Sequence, residues 1–164
     1  MRLKNGKYFE AADLYQQAMN MEPTNMLPVI GRAHAELGGG MYESAAYDLK
    51  FMFERKPEMM GLRYNLRTLI PQERLDFLAK DLKALAAEKQ AETAWFLLSY
   101  LQYQQNDPQS LDASLNTWAL AMPKDAWPKA MRKAWLDAPA ETPKPDTKPD
   151  AQPKPAAMPG QELK

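Results

Sequence analysis

Apolar positions recur at three and four residues along most of this chain, which is helical spacing. From Tyr8 to Glu22 they fall at Ala11, Leu14, Tyr15, Ala18 and Met21, and Pro23 closes the run, because proline disfavours helical geometry in the residue before it. A second run covers Tyr42 to Arg55, with Ala45, Ala46, Leu49, Met52 and Phe53 on one face and Pro57 beyond it. Between them, Thr24-Asn25 offers a cap for a helix that carries Pro28 in its first turn. Met60 to Ile70 suggests a short helix with Leu62, Leu66 and Leu69 on one face. Pro71 then opens a helix carrying Leu75, Leu78, Leu82 and Leu85. A single helix of this length is too short to support a coiled coil. Glu92 to Gln105 and Pro108 to Ala121 read as a further helix pair. Asp125 can cap a last helix with Trp127, Met131 and Trp135 at i, i+4 and i+8.

The punctuation repeats as well as the periodicity. Gly6 and Gly40 stand 34 residues apart, and so do Pro23 and Pro57. Asn106 stands 17 residues before Pro123, the same distance as Gly6 from Pro23 and Gly40 from Pro57. A fixed period near 34 residues marks stacked helix–turn–helix units. Gly38-Gly39-Gly40 leaves two registers open. In one, Gly40 is the turn. In the other, Gly31 is a small helix-contact residue, Gly38 is the turn, and Gly39-Gly40 is an insertion. Either way the triple glycine predicts a loose loop.

These residues resemble the tetratricopeptide repeat. Gly6, Tyr8, Ala11, Tyr15, Ala18 and Pro23 match its second-helix pattern throughout. Gly40, Tyr42, Ala45, Leu49, Met52 and Pro57 match it with Met52 where a small residue is usual. The copy from Asn106 to Pro123 departs at Asn106, Pro108, Leu111 and Trp118, but Trp95, Leu98 and Ser99 fit the first-helix positions ahead of it. The resemblance covers residues 1–123. It implies an all-α, right-handed helical-repeat solenoid with units at about 1–23, 24–57, 58–90 and 91–123. A cap helix at 125–137 completes a domain over residues 1–138, since a repeat stack needs a terminal helix with one polar face. Only five residues precede Gly6, where the family has about fourteen of helix. That predicts a start truncated upstream, with Leu14, Tyr15 and Ala18 uncovered; the alternative is a first repeat made of its second helix alone.

Composition changes after Pro139. Seven of the 14 prolines fall in the last 26 residues, so residues 139–164 are expected to form a disordered, extended tail. Its Pro-x-x-Pro spacings are common by chance in any proline-rich segment.

Charge and chemistry narrow the function. Lys+Arg and Asp+Glu are 21 each, so the chain lacks the basic footprint of a nucleic-acid binder. Neutrality also disfavours an anionic membrane surface. No apolar run approaches the ~20 residues of a membrane helix, and Met1-Arg2-Leu3-Lys4 has no signal-peptide pattern. With no Cys, disulfides and thiolate metal sites are excluded, and the compartment stays undecided. His34 is the one His and stands alone on its helix, and Gly38-Gly39-Gly40 lacks the Lys-Ser/Thr of a phosphate loop. The expectation is a non-enzymatic scaffold with no cofactor and no metal, holding a protein or peptide. The alternative is a regulatory or positioning module detached from a larger enzyme or a cell-envelope or secretion component.

The resemblance also implies where a partner would lie. In the family, the first helices of the pairs line a concave face that takes extended peptides or partner helices. By position that face holds Ile30, His34 and Leu37, then Tyr64 and Arg67, then Phe96, Tyr100 and Tyr103. Ile30 and Leu37 do not supply the Lys, Arg and Asn of the family's carboxylate clamp. Phe96, Tyr100 and Tyr103 make one aromatic stripe, and aromatics are enriched in binding hot spots. Such a stripe also serves as core. Trp95, Leu98 and Leu101 already provide a packing stripe on the same helix, which leaves Tyr100 as the expected centre of a groove.

Overall fold

A computed structural model describes residues 6–89 and 91–137 of the chain. Among the described residues it is all-helical, with seven α-helices and no strand. They are α1 (Tyr8–Met21), α2 (Leu27–Gly39), α3 (Tyr42–Arg55), α4 (Gln72–Lys89), α5 (Glu92–Gln104), α6 (Pro108–Ala121) and α7 (Trp127–Trp135). α1 packs on α2, and α2 on α3. Then α4 and α3 both pack on α5, α5 on α6, and α6 on α7. The expected tail, residues 139–164, and residues 1–5 lie outside the described residues. No described helix is long and apolar enough to cross a membrane.

The turn chemistry recurs as local geometry. Three helices, α1, α3 and α6, are each 14 residues long. Each begins two residues after a left-handed residue: Gly6 at φ 71°, Gly40 at φ 81° and Asn106 at φ 60°. Glycine adopts this region at no steric cost, and asparagine tolerates it better than most. Each also ends in the same way. The cap residues Glu22, Lys56 and Met122 have φ/ψ of −130°/76°, −137°/71° and −132°/70°, and a proline follows each. The starts of α2 and α7 match too. Asn25 Oδ1 accepts from the Leu27 amide and Asp125 Oδ1 from the Trp127 amide, both at 3.0 Å, and each helix has a proline in its first turn.

The turn between α2 and α3 is Gly40, as in the first of the two registers. Gly38 and Gly39 are helical, so the loose triple-glycine loop is corrected to a single left-handed cap. Close approach is what requires the earlier glycines. A Cβ on Gly31 would fall well inside van der Waals contact of the Tyr15 ring, and one on Gly38 would do the same to Tyr8. These contacts seat α1 on α2. Tyr15 is thereby half-covered, as is Ala18, while Leu14 is exposed.

Residues 57–71 depart from expectation. In place of a helix over Met60–Ile70 there are two short 3-10 turns, Pro57–Gly61 and Leu66–Thr68, with non-helical chain between them. The backbone there is bonded by side chains from elsewhere. Trp135 Nε1 donates to Met60 O at 2.7 Å, and Tyr103 Oη donates to Gly61 O at 2.6 Å. Gln104 Nε2 donates to Leu62 O at 3.1 Å, and Gln104 Oε1 accepts from the Tyr64 amide at 2.6 Å. Buried backbone polar groups need partners, and here α5 and α7 supply the bonds that a helix would have made internally. Leu66 and Ile70 enter the core, whereas Leu62 stays exposed.

A continuous core runs from Val29 to Trp135. Its centre is α5, where every residue from Ala94 to Leu101 is buried, as is Tyr103. A helix that is apolar on all sides must be surrounded, and α3, α4, α6 and α7 surround this one.

Candidate functional site

The burial of α5 decides the fate of the aromatic stripe. Phe96 and Tyr100 have no solvent exposure and Tyr103 has 6%. Phe96 meets Trp127 edge-on at 5.2 Å, and Tyr100 lies between Phe53 and Trp135, each at 6.3 Å. Ile30, His34 and Leu37 are buried on α2. The groove expected around Tyr100 is therefore corrected to core. The packing stripe of Trp95, Leu98 and Leu101 did not free the opposite face, because α7 and residues 57–71 cover it. Tyr64 is half-buried and Arg67 is exposed on the second 3-10 turn.

Within that core the structure joins three of the expected residues. His34 Nε2 and Tyr100 Oη are hydrogen-bonded at 2.7 Å, and the Tyr64 ring stands edge-on to His34 at 5.1 Å. Burial pushes the His34 imidazole down to about 4 and the Tyr100 phenol well above its ordinary range. At neutral pH the pair is thus an uncharged bond between α2 and α5. Ile30, Leu37 and Arg67 do not join it.

A polar site that the sequence did not announce lies between α2 and α3. Its lining is Arg32 and Glu36 from α2 with Glu43, Ser44, Tyr47 and Asp48 from α3. Arg32 and Glu36 share a helix face, as residues four apart do, and α3 brings Asp48 alongside. The Arg32 guanidinium donates to both Asp48 oxygens through Nε and Nη2, the Nε bond being 2.5 Å. Its Nη1 donates to Gln16 Oε1 on α1. Asp48 is only 2% exposed, so this fork-to-carboxylate pair ties α2 to α3 in a shielded setting. The bond to Asp48 raises Arg32 above its already high range.

Glu36 is the unbalanced member. It is 8% exposed, and its Oε1 lies 3.7 Å from Arg32 Nε. Its Oε2 is shielded from solvent with no hydrogen-bond partner. Burial, reinforced by the charge of Asp48 and opposed by Arg32, pushes the Glu36 carboxyl up to about 7. Outside, Tyr47 is 68% exposed and stacks on Phe51 at 6.3 Å, and Arg55 lies over the other end of that ladder, 4.3 Å from the Phe51 centroid. The one sequence signal for the site was a charged Glu36 among the small and apolar residues Ala35, Leu37, Gly38 and Gly39. Asp48 gave no signal until the helices were paired. Among the described residues no group of three or more His, Asp or Glu side chains could hold a metal ion.

A second cleft is lined by Glu92, Met122, Lys124 and Trp127 at the α6–α7 turn. Next to it, Lys50 pairs with Glu92 and its Nζ lies 5.0 Å from the Phe96 centroid and 5.8 Å from that of Trp127. That ammonium is already engaged.

No family model matches the chain, and neither a curated protein nor a solved structure is significantly similar to it.

Proposed function

We propose that the chain is a tetratricopeptide-like helical-repeat solenoid whose work is to hold a partner protein or peptide, with no catalytic step of its own. One observation carries this reading. The left-handed turn, the 14-residue helix and the extended cap before proline recur at α1, α3 and α6 with nearly the same backbone angles. Units that each bury one face against the next leave a broad outer surface for a partner. With the aromatic stripe inside, that surface is the outer side of the paired helices rather than a groove at Tyr100.

Affinity capture from native lysate followed by hydrogen exchange on the purified complex tests the proposal. The expected result is a stoichiometric partner that protects amides on a contiguous surface of neighbouring helix pairs. Failure to retain any partner in stoichiometric amount overturns it, and so does protection confined to the chain outside the helices.

A further inference from the structure

We propose that the cleft between α2 and α3 receives an arginine side chain of a partner polypeptide, paired to the Glu36 carboxylate and laid against the Tyr47 ring. This deepens the partner-holding reading by naming the chemistry that the partner presents.

Charge is the first reason. The cleft holds three carboxylates, Glu36, Glu43 and Asp48, and one guanidinium, Arg32. Arg32 gives its hydrogen bonds to Asp48 and Gln16 and reaches Glu36 only at 3.7 Å through Oε1, while Glu43 has a neutral donor in Thr93, so one guanidinium is shared among three carboxylates. The second reason is independent of the charge count. Glu36, more than nine-tenths buried, has a carboxylate oxygen with no partner. A shielded acceptor left unpaired is unfavourable, and a cationic donor satisfies it while restoring charge balance.

The flanking ring selects the kind of cation. The three or more ligands that a metal ion requires do not converge here. A guanidinium is planar, forks onto a carboxylate and stacks on aromatic faces, whereas an ammonium is a compact, strongly hydrated charge. The same strip of α3 already carries one such arrangement, Arg55 over Phe51. Tyr47 continues that strip by one helical turn and, being mostly exposed while lining the same cleft as Glu36, offers its ring to a side chain that enters there. The ionisable groups around Glu36 are Arg32 on its own helix and Glu43, Tyr47 and Asp48 on α3; α1 contributes the neutral Gln16. Binding a guanidinium favours the ionised form of Glu36, so affinity should rise from pH 6 to pH 8.

The test is an NMR titration of the full chain with the blocked tripeptide Ac-Ala-Arg-Ala-NH2. Control titrations use the lysine, citrulline and alanine analogues. The arginine peptide should give saturable shifts clustered on amides of α2 and α3, the lysine peptide weaker ones, and the citrulline and alanine peptides none. Glu36→Gln, which keeps the shape, should weaken the arginine peptide by roughly tenfold or more, the worth of one charge-assisted bond. Tyr47→Ala, at an exposed position that leaves the core intact, should weaken it less. Absence of saturable shifts, equal binding of the citrulline peptide, or an unchanged Glu36→Gln variant overturns the proposal. Binding of the peptide without any captured protein partner would uphold the cleft and count against the scaffold reading; a captured partner whose footprint avoids the cleft would do the reverse.

Discussion

Tyr103 of α5 and Trp135 of α7 stack nearly parallel, with ring centroids 4.7 Å apart and planes at 9°. Both rings also donate to backbone of the 3-10 turn at Pro57–Gly61: Tyr103 to Gly61 O, and Trp135 to Met60 O. Two helices and an irregular segment are thus closed by one aromatic pair. This is why a short last helix such as α7 stays docked.

Trp135→Ala should accordingly destabilise the fold by ~3–5 kcal/mol, the range for removing a large core aromatic. Trp135→Phe keeps a ring but leaves Met60 O without its donor, and should cost about 1–3 kcal/mol. Chemical denaturation followed by circular dichroism measures both. An unchanged midpoint for Trp135→Ala would show that α7 contributes nothing to the stability of the fold.

Gly31→Ala should also destabilise the fold, although alanine is the better helix former by ~1 kcal/mol. The added Cβ collides with the Tyr15 ring, and overpacking costs typically 1–3 kcal/mol. The double variant Gly31→Ala/Tyr15→Ala should recover part of the loss relative to the sum of the single changes, because the two residues share one contact. Strict additivity in thermal melts would place the Gly31 effect elsewhere.

The helices were largely legible in the sequence, because their signals are local. Glycine or asparagine before the helix and proline after it fix α1, α3 and α6 within a residue or so. The stretch from Met60 to Ile70 was not legible. Its leucines have helical spacing, but its carbonyls and the Tyr64 amide are bound by Tyr103, Gln104 and Trp135 from far along the chain. The face of α5 was misread for the same reason. Which side of Tyr100 is covered depends on α7 and on that irregular segment, and neither placement is encoded near Tyr100. The Arg32–Asp48 pair shows the converse, two ordinary surface-type residues that helix pairing carried out of solvent.

Tyr100 now belongs to the fold rather than to a binding groove. Tyr100→Ala should cost ~3–5 kcal/mol through the cavity it opens. Tyr100→Phe should cost about 1–3 kcal/mol, because it leaves the buried His34 Nε2 unpaired. His34→Phe combined with Tyr100→Phe removes both polar groups and should lose less than the two single changes added together. Urea midpoints across this cycle measure the coupling. A Tyr100→Ala chain with unaltered stability would return the residue to the surface.

The pH dependence of stability should reveal two buried groups acting against each other. Burial lowers His34 from 6.5 to about 4. Between those values the unfolded chain binds the extra proton, so stability is fully present above about 6.5 and is lost as the pH falls toward 4. The gap corresponds to ~3 kcal/mol at most. Glu36 has the opposite sign. Burial and the neighbouring Asp48 raise it from 4.5 to about 7, so the folded chain holds the extra proton. Its contribution is fully present below about 4.5 and is lost as the pH rises through 7. The two slopes oppose each other between about 4.5 and 6.5, and from these groups the wild-type stability should change little there. Glu36→Gln removes the falling limb, so that variant should gain stability steadily from pH 4.5 to 6.5. His34→Phe removes the rising limb and should lose stability across the same window. Denaturation midpoints at half-unit pH intervals, compared as differences from wild type, isolate each slope. If both variants run parallel to wild type, neither His34 nor Glu36 is shielded as the structure has it.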